Sequence, residues 1–372
     1  MSGSGKLIIY KTIPPAGIET IEKKGLGHPD ALCDALAERV SAAYSRYCFE
    51  NFGVLIPYSI DGLTMDEGET NVEFGGGVMV KPIRLYLRGS FAAQFMGKKI
   101  PYMDIAKKAI YEYLDMIVPR LEARRWVRVI DGTQAYGGPR ETFAINRLAA
   151  NHMYTVTAYY PPTVAESCAL RIEQKLNAPI YKEQHPYIGS DNRVTVVRNG
   201  NSIDILAYVS MISECVPDND TLRTYVEAVE KDIEAVAASD RIMVNKIDIY
   251  VSDNPLHDGR ALTVTGSSIE SYNGGAVGRS RYPVYHAAKI YSVVAYQISK
   301  RIFNEEKVAA SVTLISKIGA PLNSPWHINV NIISDKNPNT ISQPMFARAE
   351  EIVNDELGHI EEFVKTLMYG KN

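Results

Sequence analysis

Glu22-Lys23-Lys24-Gly25-Leu26-Gly27-His28-Pro29-Asp30-Ala31-Leu32-Cys33-Asp34 reads as a glycine-bounded turn that delivers an imidazole and a carboxylate to the start of a helix. Pro29 stands where helices begin, since its missing N–H is one the first turn could not satisfy. From Pro29 to Asn51, Leu32, Leu36, Val40 and Tyr44 recur every four residues and set one apolar face inward. Phosphate oxygens favour the exposed N–H groups and positive end of such a helix. A carboxylate two residues beyond the histidine can hold a hard cation such as Mg²⁺ against the same oxygens. Taken alone, Gly-His-Pro-Asp also reads as a plain turn and N-cap.

Outward from this stretch, helical periodicity marks residues 103–121, 164–176, 222–236, 283–303 and 345–368. Strand-like alternation marks 83–87, 127–130, 154–160, 194–197, 203–211, 246–251, 261–265, 312–315 and 328–333. Arg198-Asn199-Gly200-Asn201 predicts a local hairpin with Asn-Gly at the bend. Strands and helices alternate throughout, which predicts layered α/β (α+β) units with helices packed on sheets. The chain has 372 residues, 46% hydrophobic and 22% charged, enough apolar material for two or three compact units.

Forty Lys and Arg against 43 Asp and Glu give a net charge of −3, too even for a generic polyanion surface. Nucleic acid is therefore not an expected partner, and any phosphate site is local. Cys33, Cys48, Cys168 and Cys215 are scattered without CxxC spacing, which argues for small buried hydrophobes in a reducing cytoplasm. The opening MSGSGKLIIYKTIPPAG lacks a leader pattern, and no stretch approaches the roughly 18 uncharged apolar residues of a membrane span. Trp126 and Trp326 read as packing residues, and Glu350-Glu351 with Glu361-Glu362 as the solvated side of a final helix.

Two further clusters carry chemistry. Phe74-Gly75-Gly76-Gly77-Val78-Met79-Val80 strings three glycines before a strand, which lets the backbone approach a ligand or another element closely. Leu262-Thr263-Val264-Thr265-Gly266-Ser267-Ser268 is followed by Asn273-Gly274-Gly275-Ala276-Val277-Gly278-Arg279-Ser280-Arg281, then by His286 and Lys289 on a helix. Arg279 and Arg281 can offer forked donors to phosphate, and His286 and Lys289 share a helix face.

In order and spacing these segments resemble methionine adenosyltransferase (S-adenosylmethionine synthetase) of the archaeal type. Lys24 to Asp34 looks like that family's Lys-Gly-x-Gly-His-Pro-Asp-x-x-x-Asp opening, Phe74 to Pro82 like its Gly-Gly-Gly-Val-Met-Val segment, and Leu262 to Ser268 like its Leu-Thr-Val-Thr-Gly-Thr-Ser strand. Val277-Gly278-Arg279 resembles the arginine turn that follows. His286-Ala287-Ala288-Lys289-Ile290-Tyr291 is similar to His-Val-Gly-Lys-Ile-Tyr, and Ser316-Lys317-Ile318-Gly319-Ala320-Pro321 to Ser-Gln-Ile-Gly-Lys-Pro.

The resemblance implies three similar α/β subdomains, near 1–140, 141–250 and 251–372 and interleaved, in a cytoplasmic homodimer with sites at its interface. It implies a reaction between ATP and methionine that needs Mg²⁺ and is helped by K⁺. The implied catalytic residues are His28, Arg279 and Lys289. Lys24, Gly27, His28, Gly75, Gly76, Gly77, Arg193, Gly278, Arg279, Arg281 and His286 would bind ATP and its phosphates, Asp30 a metal, and Asp61, Tyr136, His152, Tyr154 and Tyr272 would line the acceptor pocket.

This chain departs from the pattern at several points. Ala150-Asn151-His152-Met153-Tyr154 stands for Ala-Asn-Asp-Thr-Ser, Ala135-Tyr136-Gly137 for Gly-Gln-Gly, Gly189 to Val194 for Gly-Glu-Asp-x-Lys-Val, and Tyr272-Asn273-Gly274-Gly275 for Gly-Asp-Asp-Gly. A lid stretch with a Ser-Gly-Lys is missing between Arg281 and Tyr282. Fewer carboxylates weaken Mg²⁺ binding, and imidazole and phenol groups suit an acceptor less cationic than an ammonium. Three readings follow: an ordinary methionine adenosyltransferase, an adenosyltransferase with another nucleophile, or a nucleotide-binding or regulatory relative of weak activity.

Overall fold

The computed structural model describes residues 6–12, 17–66, 68–137, 148–238, 242–251, 269–270, 286–333 and 343–369. One order of elements recurs three times: helix, two antiparallel strands, helix, then a strand parallel to the second. It runs first through Pro29–Phe52, Ser59–Asp66, Ile83–Ala92, Tyr102–Ile117 and Val127–Tyr136. It runs again through Val164–Asn177, Ile188–Asn199, Ser202–Met211, Asn219–Ala237 and Met243–Tyr250. The third passage is Ala287–Glu306, Ala309–Ile315, His327–Ile333 and Gln343–Gly358, and its parallel strand comes from the other end of the chain, Lys6–Thr12.

Strands that precede the long helices cross between sheets. Ile18–Lys24 leads into the helix of the first passage, yet pairs antiparallel with Ile188–Asn199 of the second. Thr155–Tyr160 leads into the helix of the second, yet pairs with Ala309–Ile315 of the third. The start of each of these helices therefore sits where two sheets meet, with backbone and side chains from both within reach.

Burial follows the sequence pattern. Leu32, Leu36, Val40 and Tyr44 are all buried in a core that joins the first and third passages, and Ile172, Leu176, Val194, Val196 and Val209 anchor a second core around the middle sheet. The hairpin forms as the Asn-Gly pair dictates: Asn199 pairs with Ser202, and Gly200 takes φ of 58°, the left-handed region where a side chain is strained. Among the described residues no helix is long and apolar enough to cross a membrane.

Several expectations are corrected. The final helix of 345–368 is two helices, Gln343–Gly358 and Ile360–Tyr369, interrupted at His359. Residues 103–121 give a helix that ends at Ile117 and a short turn over Pro119–Leu121, since the proline at 119 has no N–H to continue the ladder. Trp326 is 56% exposed and is not a core residue, and Cys215 is only partly buried, unlike the other three cysteines. The expected strand at 261–265 lies outside the described residues.

Candidate active site at two histidine-capped helices

His28 is the N-cap of Pro29–Phe52, its backbone extended at φ −64°, ψ 136° and its Nδ1 accepting the Asp30 N–H at 3.2 Å. The turn is tied down by the His28 N–H donating to the Gly25 carbonyl at 3.0 Å and the Gly25 N–H donating to the Asn192 carbonyl at 2.7 Å. A Cβ on Gly27 would lie 2.3 Å from the Ser190 carbonyl oxygen, so Gly27 is glycine because this turn is pressed onto the neighbouring strand. A bulge between Ile188 and Asn192 shapes that strand where the turn rests.

Lys24, at the end of its strand, donates to Asp30 Oδ2 at 2.8 Å, with both side chains buried. Arg193 stands opposite Lys24 in the register, beside Glu22 at 4.0 Å and over the Tyr208 ring. Burial drives the His28 pKa down to about 4. Asp30 opposes that shift, and Lys24 and Arg193 add to it. The imidazole is therefore neutral near pH 7. With Nδ1 accepting, its proton sits on Nε2, which has no partner among the described residues. Asp30 Oδ1 is likewise buried without one.

His286 repeats the arrangement at Ala287–Glu306: it is the N-cap, and its Nδ1 accepts the Lys289 N–H at 3.3 Å. Its Nε2 meets the Tyr154 hydroxyl at 3.1 Å, and the His152 ring lies 5.6 Å from that of Tyr154. Ser316 holds this corner together by accepting the Tyr154 N–H and donating to the His152 carbonyl, both at 2.8 Å. The Asn151 Oδ1 accepts the Ala287 N–H at 3.4 Å. Three segments singled out in the sequence, 150–154, 286–291 and 316–321, thus converge.

Lys289 is buried, and its ammonium is bound by Glu38, almost three turns along the helix that His28 caps. Burial lowers the Lys289 pKa and Glu38 raises it. Glu38 escaped the sequence reading, although Asp30, Asp34 and Glu38 at intervals of four place acids along one helix side.

The other expected residues are held by other elements. Gly75 turns the hairpin of Glu69–Glu73 and Gly76–Lys81 at φ 81°, and its N–H goes to the Ser213 and Val216 carbonyls. Asp61 is exposed at a bulge in the first sheet, and the Tyr136 hydroxyl donates to the Pro57 carbonyl. Tyr272, Gly278, Arg279 and Arg281 lie outside the described residues. Among the described residues there is no group of three or more His, Cys, Asp or Glu placed to hold a metal.

Two histidine-capped helix starts at junctions between sheets of a mixed α/β fold offer N–H groups and imidazoles suited to a phosphate-bearing substrate. The sequence profile of S-adenosylmethionine synthetase (AdoMet synthetase) matches residues 7–282 and 280–371. The S-adenosylmethionine synthase of Pyrobaculum neutrophilum is 30% identical, over 95% of this chain and 95% of its own. That of Haloarcula marismortui is 29% identical over 95% and 94%, and the probable S-adenosylmethionine synthase of Aquifex aeolicus 29% over 90% of each. The chain belongs to the S-adenosylmethionine synthetase family and is an enzyme of the methionine adenosyltransferase type.

Proposed function

We propose that this chain converts ATP, L-methionine and water to S-adenosylmethionine, phosphate and pyrophosphate, with the nucleotide's triphosphate at the His28 helix. The observation that carries the reading is a buried neutral imidazole at the positive end of a 24-residue helix, with an unpartnered Asp30 oxygen beside it. The methionine sulfur attacks C5′, the C5′–oxygen bond breaks, and its electron pair leaves on the triphosphate while the positive charge stays on sulfur. His28 Nε2–H and the N–H groups of the first turn stabilise the charge on the departing oxygen. Lys24 neutralises one Asp30 oxygen and leaves the other for a cation.

A single buried carboxylate oxygen fits Mg²⁺, which takes one or two carboxylates and completes its shell from phosphates and water. When bound, the metal supplies further neutralisation of the triphosphate. K⁺ is the proposed helper ion. Arg193, Arg279, Arg281 and Lys289 complete the phosphate side, with Gly75, Gly76 and Gly77 approaching it. His152, Tyr154 and His286, with Asp61, Tyr136 and Tyr272, form the acceptor side. The enzyme is proposed to act as a cytoplasmic homodimer of three interleaved units near 1–140, 141–250 and 251–372.

The His152 ring beside Tyr154 favours a second reading in which the same nucleotide site serves a less cationic nucleophile than an amino acid. Incubation with ATP and Mg²⁺, with and without methionine, followed by mass analysis of adenosyl products and phosphates, separates the two. Methionine-dependent S-adenosylmethionine is the expected result. ATP consumption indifferent to methionine would move the assignment to another acceptor, and nucleotide binding without turnover would remove the enzyme reading.

A further inference from the structure

A cavity of about 540 Å³ opens at the joint between the last two helices, and neither histidine cap is in its lining. Ala149, Pro321, Leu357 and Ile360 give it apolar walls, and Asn323 and Glu361 are its polar side chains. Neither Asn323 nor Glu361 has a hydrogen-bonding or ionic partner among the described residues. Gly358 also borders the space, and a Cβ built there meets nothing within 4 Å, so a larger side chain is accommodated at this border. Its size falls in the range of small-molecule sites, roughly 300–1,000 Å³.

We propose that this cavity is a second small-molecule site, taking a compact apolar body that carries a primary ammonium group. The lone carboxylate of Glu361 attracts a cation and repels an anion, Asn323 accepts a further N–H, and the four apolar residues cover the body. The floor is built by paired segments: Ala149 bridges Pro321, the Leu322 N–H donates to the Leu148 carbonyl at 2.8 Å, and the Ala150 N–H donates to the Ala320 carbonyl at 2.8 Å. Farther along, the same two segments hold Ser316 against His152 and Tyr154. An occupant would therefore rest on the frame of the acceptor corner without entering it.

The probes are 2-phenylethylamine, 2-phenylethanol and phenylacetate, which share a ring and differ in charge, titrated calorimetrically into the full chain at pH 7. The expected order of affinity is amine, alcohol, acid. Glu361→Gln should lower the amine's affinity about tenfold and leave that of the alcohol unchanged. Gly358→Phe, which sets a ring at the cavity's border, should abolish binding of all three while the helical circular dichroism is retained. Equal affinity for the three probes, an amine preference that survives Glu361→Gln, or amine binding that survives Gly358→Phe would each overturn the proposal.

Discussion

Residues 28 and 163 begin the long helices of two successive passages of the fold, and they are finished differently. At 163 the cap is closed: Thr163 Oγ1 accepts the Glu166 N–H at 3.1 Å, Glu166 Oε2 accepts the Thr163 N–H at 2.8 Å, and Tyr159 donates to the remaining carboxylate oxygen. That reciprocal box satisfies the helix and leaves little to bind anything else. At 28 the cap is open. An imidazole replaces the hydroxyl, one nitrogen serves the helix and the other keeps its proton, and the nearby carboxylate is only half neutralised. The third long helix, capped by His286, also has an imidazole cap but has Tyr154 on its second nitrogen. Equivalent helix starts thus divide into one closed by a capping box and two capped by histidine, and it is the histidine-capped pair that the proposed function uses.

The sharpest way to break this contrast is substitution at both starts. His28→Ala should lower ATP turnover about 10³-fold, the loss of a donor aimed at developing charge, whereas Thr163→Ala should leave turnover within about twofold. Equal losses in a turnover assay would erase the distinction. Next in size is a pH effect. The unfolded His28 takes up its proton near 6.5 and the folded one near 4, so between those values the unfolded chain binds more protons and stability falls as pH falls. Across that window His28 contributes about 3 kcal/mol, lost on acidification. His28→Asn should flatten this part of the stability–pH curve measured by urea denaturation, and an unchanged slope would show that the imidazole is not held neutral.

A smaller effect concerns the link between the two histidine-capped helices. Glu38→Gln leaves the Lys289 ammonium without its carboxylate and should cost about 2 kcal/mol, less than a fully buried pair because Glu38 is partly exposed. Lys289→Met combined with Glu38→Gln should recover part of that cost, and strict additivity of the two substitutions would count against the pair. Smallest is Thr163→Ala, at about 1 kcal/mol of stability for the lost cap, read from the urea midpoint.

The sequence disclosed what local rules control. The helix from Pro29, the Asn199-Gly200 hairpin and most strand cores follow from periodicity and turn chemistry, and His28, Asp30, Lys24 and Arg193 do meet. Lys6–Thr12 and Ile18–Lys24 gave no such signal: the second is interrupted by Glu19, Glu22 and Lys23, and their partners lie at His327–Ile333 and Ile188–Asn199. Exchange of strands between sheets leaves no local trace, so the junction that makes the site was not legible. Nor was the purpose of Gly27, which is set by a strand 163 residues away at Ser190. The break at His359 was missed because Gly358 reads as a tolerable helix residue and only packing shows the stop.

The state of the His28 ring tests the central claim most directly. In long-range ¹H–¹⁵N correlation spectra of the full-length protein, the ring should be the neutral Nε2–H tautomer at pH 7, with a titration midpoint near 4 that rises when ATP is added. A midpoint near 6.5 that ignores ATP would mean that the imidazole neither sits dry at the helix start nor faces a polyphosphate.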